Sequence, residues 1–412
     1  MFFPSMFKSG AADSTPVTTP AELADLRGLT YDTYTGKHVS SQKAMRLTAV
    51  FGCIRVLAES IGMLPCNLYK STDKGKEKAV NERLFKLLSL KPNGYMTPQE
   101  LWELLIVCLC LRGNFYAYKV KALGEVVELL PLDPGCVQPK LNSQWEPVYQ
   151  VTFPDGSVDV LGQGDIWHVR ILTLDGLVGL NPIAYAREAI ALGLATEEHG
   201  SRLFKNGAVT SGVLRTEQTL TDDAYGRLKK DFEERHTGLG NAHRPMILEM
   251  GLDWKSMALN AEDSQFLETR KFQLEEICRL YRVPMHMVQN TDRATFNNIE
   301  SLGIGFINYS LVPYLTRIEQ RINIGLIKDA KQGVFYAKFN AGALLRGDMK
   351  SRFESYATAI NWGIYSPNDC LELEDRNPRP GGDVYLTPMN MTTTPSASGD
   401  SKSEKEIKHG DD

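Results

Sequence analysis

The chain has 412 residues, 42% hydrophobic and 23% charged, which is apolar enough to fill one or two cores and excludes disorder throughout. Its formal net charge of -4 argues against a DNA reader that grips phosphates through a broad basic surface. The longest apolar run, 104–111, falls well short of the roughly 20 residues that cross a bilayer, so no membrane span is expected.

The N-terminal extension, 1–41, begins Met1-Phe2-Phe3-Pro4, with no leading charge and too short an apolar stretch for a signal peptide. Residues 9–20, rich in Ser, Thr, Ala and Pro, read as disordered, and so does the tail 392–412. The first helix is predicted over 42–63, with Leu47, Val50, Phe51, Ile54, Leu57 and Ile61 on one stripe, and Leu64-Pro65 ends it. Residues 66–70 and 79–80 read as strand or loop. A second helix opens at Thr97-Pro98-Gln99-Glu100, a capping box with proline at the first helical position, and Gly113-Asn114 closes it. Strands follow at 115–121, 126–130, 148–153 and 166–171, separated by the turn pairs Leu123-Gly124, Asp133-Pro134 and Asp155-Gly156. This is an α+β pattern.

A helix over 182–204 ends at Asn206-Gly207. A small α/β insert is then predicted as strand 211–215, helix 222–235, strand 245–249 and strand 254–257. Thr221 caps its helix, which carries Tyr225, Leu228 and Phe232 on one face. The next helix, 262–282, stops at Val283-Pro284, because a residue before proline avoids helical geometry. An irregular stretch to 296 precedes a long helix over 298–329, with Leu311, Leu315, Ile318, Ile322 and Leu326 in register. Pro313 within it removes one backbone bond and collides with the Tyr309 carbonyl, so a kink is expected there. Helices at 348–362 and 367–374 precede a Pro-Gly-rich segment at 376–383.

Chemistry-bearing motifs are sparse. There is no P-loop, nucleophile elbow, HExxH, EF-hand loop or dinucleotide fingerprint, and Gly238-Leu239-Gly240 and Gly303-Ile304-Gly305 read as structural. The seven histidines are scattered; His236 and His243 lie closest but lack a third ligand, so no metal and no cofactor are expected. His168 sits in an alternating strand and reads as a satisfied structural histidine. Glu233-Glu234 and Glu275-Glu276 are adjacent on helices and diverge by roughly 100°, so they do not converge on one substrate. The seven cysteines include no CxxC pair and lie mostly in apolar runs such as 107–111, as reduced core thiols do.

A series of segments nonetheless keeps a telling order. They are Ala49-Val50-Phe51-Gly52-Cys53-Ile54, Leu64-Pro65-Cys66-Asn67-Leu68-Tyr69, Gly113-Asn114-Phe115-Tyr116-Ala117 and Ile166-Trp167-His168-Val169-Arg170. After these come Asp175-Gly176-Leu177-Val178-Gly179-Leu180-Asn181-Pro182-Ile183, Phe204-Lys205-Asn206-Gly207-Ala208, the stretch 263–271, Val283-Pro284, Asn297-Asn298-Ile299-Glu300 and Leu311-Val312-Pro313-Tyr314. Together they resemble the Hong Kong 97-type portal proteins of tailed bacteriophages over nearly the whole body. The chain departs from that pattern at Asn181, where many members carry Ser, and at Asn368-Asp369-Cys370-Leu371, where many carry Asn-Glu followed two residues on by Arg.

The resemblance implies a non-enzymatic subunit, without catalytic residues, of a dodecameric ring at one capsid vertex of the virion, assembled in the host bacterial cytoplasm. Double-stranded DNA would pass through it non-specifically during packaging and ejection. It also implies the terminase large subunit, a head-completion or adaptor protein, and the major capsid protein and scaffold as partners, with no membrane. The implied regions are a wing at 42–181, stem helices at 182–207 and 261–283, and a clip at 208–260. A tunnel loop follows at 284–297, then a long kinked helix returning to the wing at 298–346, and a crown at 347–391. Partner docking is assigned to Thr237, Gly238, Leu239, Gly240 and Asn241 of the clip. The channel-facing residues of the tunnel loop are Gln289, Asn290, Thr291, Asp292, Arg293, Thr295 and Asn297. Two rival readings stand beside this one: a hydrolase-like enzyme with a pocket around His168, and a monomeric scaffold or adaptor without a channel.

Overall fold

The structure, a computed structural model, describes residues 31–72, 75–153, 155–205, 212–215, 221–236, 253–256, 262–288, 302–341, 349–374 and 376–386. It divides the chain into two units, Met1–Ala343 and Leu344–Asp412. Helices and antiparallel sheets share the first unit, in keeping with the α+β expectation.

Ser40 caps one turn, α1 (Ser41–Ala44), by accepting from the Lys43 amide, and the chain restarts as α2 (Thr48–Gly62) where a single helix was predicted. α2 buries Val50, Cys53, Ile54, Leu57, Ala58 and Ile61. Phe51, expected on that stripe, is 46% exposed, because the step of about 100° from buried Val50 turns its ring away from the core. β1 (Cys66–Thr72), β2 (Gly75–Lys78) and α3 (Arg83–Ser89) follow, the last two without a counterpart in the sequence reading.

α4 (Pro98–Arg112) begins with the predicted reciprocal cap between Thr97 and Glu100. It packs on α2 through Leu101, Trp102, Leu105, Ile106, Leu109 and Cys110. Gly113 ends it with φ 74°, and a Cβ there would lie 2.0 Å from the Leu180 carbonyl oxygen, so both conformation and space require glycine. The chain then runs through β3 (Asn114–Ala122), β4 (Glu125–Leu132), β5 (Val137–Leu141), β6 (Pro147–Thr152), β7 (Val158–Gly162) and β8 (Ile166–Arg170). They form two antiparallel sheets of order β4-β3-β8 and β5-β6-β7. Tyr116, Val137, Tyr149, Val151 and Ile166 make a shared core between them.

Asn181 caps α5 (Pro182–Tyr185) by accepting from the Ile183 and Ala184 amides, which a Ser hydroxyl does equally well, so the departure at this position is conservative. Ala186 interrupts the predicted helix before α6 (Arg187–Lys205). Of the insert, the structure describes β9 (Gly212–Arg215), α7 (Asp222–His236) and β10 (Asp253–Ser256), with β9 and β10 antiparallel. The strand expected at 245–249 lies outside the described residues, and Tyr225 on α7 is 60% exposed. α8 (Glu262–Tyr281) then packs on α2 and α6, burying Ile277, Cys278 and Tyr281; its Cys278 thiol lies 3.8 Å from that of Cys53.

The long helix is described from 302 onward. A π turn (Phe306–Leu311) leads into α9 (Val312–Gly325), so the α-helix ends four residues before the expected 329. Leu311, Leu315, Ile318, Ile322 and Leu326 are all buried, in the predicted register. β11 (Phe335–Phe339), absent from the sequence reading, pairs with β1 from Cys66↔Phe339 to Lys70↔Phe335 and gives a sheet of order β11-β1-β2. Trp102 of α4 is the hub where the layers meet, with edge-on ring contacts to Trp167 of β8 and Phe339 of β11.

The second unit contains α10 (Met349–Asn361) and α11 (Pro367–Leu373), the latter capped reciprocally by Ser366 and Asp369. Buried Asn368 donates to the Arg379 carbonyl and the Asp383 carboxylate and accepts from the Arg379 amide, tying the Pro-Gly-rich turn to α11.

Candidate functional site

Neither loop singled out in the sequence is among the described residues: Thr237 to Asn241 of the insert and Gln289 to Asn297 both lie outside them. What the structure gives is the frame on either side of the second segment. α8 ends in a hydrogen bond from the Val283 amide to the Cys278 carbonyl, with Arg282 at φ 55° between them. Glycine ordinarily closes a helix in this left-handed conformation, and a side chain there costs about 1 kcal/mol. Tyr281 and Val283 flank it, each 3% exposed, so the chain is anchored on both sides before Pro284 stops the helix. A 3-10 turn (Met285–Val288) then leads toward 289.

Beyond that segment, the Ser310 hydroxyl donates to the Arg282 carbonyl, joining the exit of α8 to the long helix. Pro313 sits at the start of α9, directly after the π turn, and the Val312 amide reaches back five residues to the Ile307 carbonyl. The wider turn falls where the proline would otherwise crowd the Tyr309 carbonyl.

Beside this junction lies a cavity of about 220 Å³, lined by Ile171, Leu172, Tyr281, Arg282, Ser310 and Arg317 among others. Arg317 donates to the Arg170 carbonyl at 3.3 Å, and Arg170 to the Leu177 carbonyl at 3.3 Å, both long contacts. None of Arg170, Arg282, Arg317 and Arg321 makes an ion pair with a carboxylate among the described residues. Burial pushes the Arg170 and Arg317 guanidinium groups down from their ordinary range, and the charge of Arg321 pushes both further the same way. Arg170, Arg282 and the helical pair Arg317 and Arg321 come from three separate parts of the sequence, and no local pattern marks them as a group.

A second polar node, immediately behind β8, is fully satisfied. The Tyr149 hydroxyl donates to His168 Nδ1 at 3.3 Å, and His168 Nε2 donates to Asn114 Oδ1 at 3.1 Å, with the Tyr116 ring stacked on the imidazole. Asn114 also accepts from the Gly179 amide and donates to the Gly179 and Arg112 carbonyls. Three of the segments that carry the resemblance, those around 114, 168 and 179, therefore meet at one point. Burial first, and then Arg170 and Arg321, push the His168 pKa down to about 3. With both ring nitrogens engaged and the imidazole held neutral, His168 has neither the free nitrogen nor the basicity that the hydrolase reading needs.

The same sheet grips the end of α9. Lys119, with its pKa pushed by burial to about 8, donates to the carbonyls of Gly325 and Gln163, and the Trp167 indole donates to the Arg321 carbonyl at 2.9 Å. The bond to Gly325 satisfies a carbonyl at the C-terminus of α9, where positive charge is favoured. The cysteines Cys53, Cys66, Cys110, Cys278 and Cys370 are buried, and burial raises the thiols of Cys108 and Cys110 to about 12. Among the described residues, no group of three or more His, Cys, Asp or Glu could hold a metal ion, and no helix is long and apolar enough to cross a membrane.

Comparison with known proteins agrees with this frame. Protein BeeE of Escherichia coli (strain K12) is 70% identical over 137 residues, which cover 33% of this chain and 86% of that protein. The probable portal protein of Streptomyces phage phiC31 is 30% identical over 370 residues, 86% of this chain and 80% of the relative. The portal protein of Enterobacteria phage HK97 is 30% identical over 354 residues, 84% and 83% of the two chains. Among solved structures, a chain from the neck of a native gene transfer agent particle, computed with C12 symmetry, superposes with TM-score 0.58 at 25% identity over 82% of this chain and 94% of the other. The family model for phage portal protein matches residues 48–375, and with it the order of segments from α2 to α11 is accounted for: the chain belongs to the phage portal protein family.

Proposed function

We propose that twelve copies of this chain form a ring at one capsid vertex, through which double-stranded DNA passes during packaging and ejection. The observation that carries this reading is the family membership over 48–375, supported by the likeness to a chain from a particle neck computed with C12 symmetry. Composition suits a conduit, since a strongly basic wall would hold phosphates and act as a brake, and a subunit of net charge -4 avoids that. The role is structural rather than enzymatic.

In this reading the segment from Gln289 to Asn297 narrows the channel. It is delivered by the anchored end of α8 and carries one charge of each sign, Asp292 and Arg293, among polar residues that contact phosphate weakly. Thr237 to Asn241 of the insert docks the terminase large subunit and afterwards a head-completion or adaptor protein, while the outer surface meets the major capsid protein and scaffold. Pro313 sets the bend of the long helix. Negative-stain microscopy of the purified chain tests the ring directly: a particle with a central hole is expected, and a monodisperse monomer would overturn the proposal in favour of a scaffold. Within a ring, Asp292→Lys adds two positive units per subunit and should slow DNA translocation in a salt-dependent way. An unchanged rate in intact rings would return that segment to an ordinary turn.

A further inference from the structure

A subunit of a closed ring, taken alone, exposes polar groups that its neighbour completes. The cavity between the end of α8, the 171–172 loop and the start of α9 has that character. Resting on the ring reading above, we propose that this cavity is an inter-subunit socket in which Arg282 and Arg317 receive a carboxylate side chain from a second copy of the chain.

Two independent observations point to a ligand. The first is the pair of guanidinium groups lining one recess with no carboxylate partner among the described residues, although Arg317 is partly withdrawn from water. A guanidinium drawn partly out of water, as that of Arg317 is, is costly to leave unpaired, and the exposed Arg282 beside it adds like charge. The second is the backbone at Arg282, whose φ of 55° suits glycine; an arginine held there has a use for its side chain. Leu172 and Leu174, 67% and 81% exposed, supply an apolar rim at the same loop.

The choice of occupant follows from shape and charge. A recess of about 220 Å³ admits one side chain and not a duplex, and an arginine pair facing the channel would arrest a sliding phosphate backbone. Carboxylates are abundant on the chain itself, with 50 Asp and Glu against 46 Lys and Arg, and a second copy is the molecule a ring sets beside each subunit.

The test compares the full-length wild type with Arg282→Gly, Arg317→Gln and Arg317→Lys. Mass photometry over a range of protein and salt concentrations gives the half-assembly concentration, and circular dichroism melting reports the fold of each variant. Arg282→Gly is expected to melt no lower than wild type yet to raise the half-assembly concentration at least about tenfold, as truncating one partner of a charge pair buried at an interface does. Arg317→Gln should behave alike, and Arg317→Lys should fall between it and wild type. Should Arg317→Gln fail to fold, Arg282→Gly alone decides. Unchanged half-assembly concentrations overturn the socket. So does normal assembly combined with weakened binding of a short DNA duplex, which would assign the recess to phosphate. A wild type that forms no ring at any concentration removes the portal reading itself, an outcome distinct from these.

Discussion

His168 and Arg317 lie on β8 and α9, elements that pack together, and each is a cationic residue type drawn out of water. Around His168 every donor meets an acceptor: Tyr149, Asn114 and Gly179 close a network that needs nothing further. Around Arg317 the nearest charges are other arginines, and its one bond to the Arg170 carbonyl is long. The first arrangement is what a buried polar group requires to be a scaffold; the second is what is left when the missing partner belongs to another molecule. Position near the core does not separate structural from functional polar residues here, whereas completeness of pairing does.

The largest test of the scaffold half is Trp167→Ala, which removes a side chain 1% exposed, its ring contacts with Trp102 and Phe115, and its bond to the Arg321 carbonyl. A loss of about 3–5 kcal/mol is expected in urea unfolding. Next, Asn114→Ala strands the Gly179 amide and carbonyl and His168 Nε2 together; unfolding should show a cost of about 2–3 kcal/mol, and a neutral result would mean the network is ornamental.

His168 gives a pH signature. Its folded pKa of about 3 lies below the ordinary value of 6.5, so protons bind the unfolded chain preferentially between those limits. The contribution is fully present above pH 6.5 and is lost as pH falls toward 3. In His168→Gln that share of the acid sensitivity, on the order of 3 kcal/mol, should disappear from unfolding curves compared at about pH 7 and about pH 4. The smallest effect has the opposite sign: Arg282→Gly relieves a left-handed side chain and should raise stability by about 1 kcal/mol, visible as a higher melting temperature. A fall would show that Arg282 is paired within its own subunit and would erase the contrast with His168.

Much of this frame could be read in advance. The Thr97 and Glu100 cap, the Gly113 stop and the buried register from Leu311 to Leu326 depend on short-range spacing, which the sequence displays. β11 escaped because its partner β1 lies far upstream and Leu326 continues the helical register past the true end of α9. Phe51 turns away from the core although the sequence sets it on the stripe, because an apolar residue adjacent to the stripe looks the same as one within it. Val283-Pro284 announced where α8 stops but not how, since an arginine in a glycine conformation leaves no trace in composition. The recess combines residues 171–172, 282 and 317, brought together only by folding, so no local motif marks it.

The outer edge of β11 carries a further consequence. Asn323 accepts from the Ala337 amide and Glu319 from the Phe339 amide, both at 2.8 Å, so two side chains one helical turn apart cover two amides two residues apart on a strand. At the opposite edge of that sheet, β2 presents Lys76, Glu77 and Lys78 to solvent. An uncovered strand edge is a template on which another chain can build. Identical subunits crowded side by side are the circumstance in which such templating spreads into fibres, and a sheet closed by helix side chains on one margin and charged on the other lets these copies pack densely without knitting together.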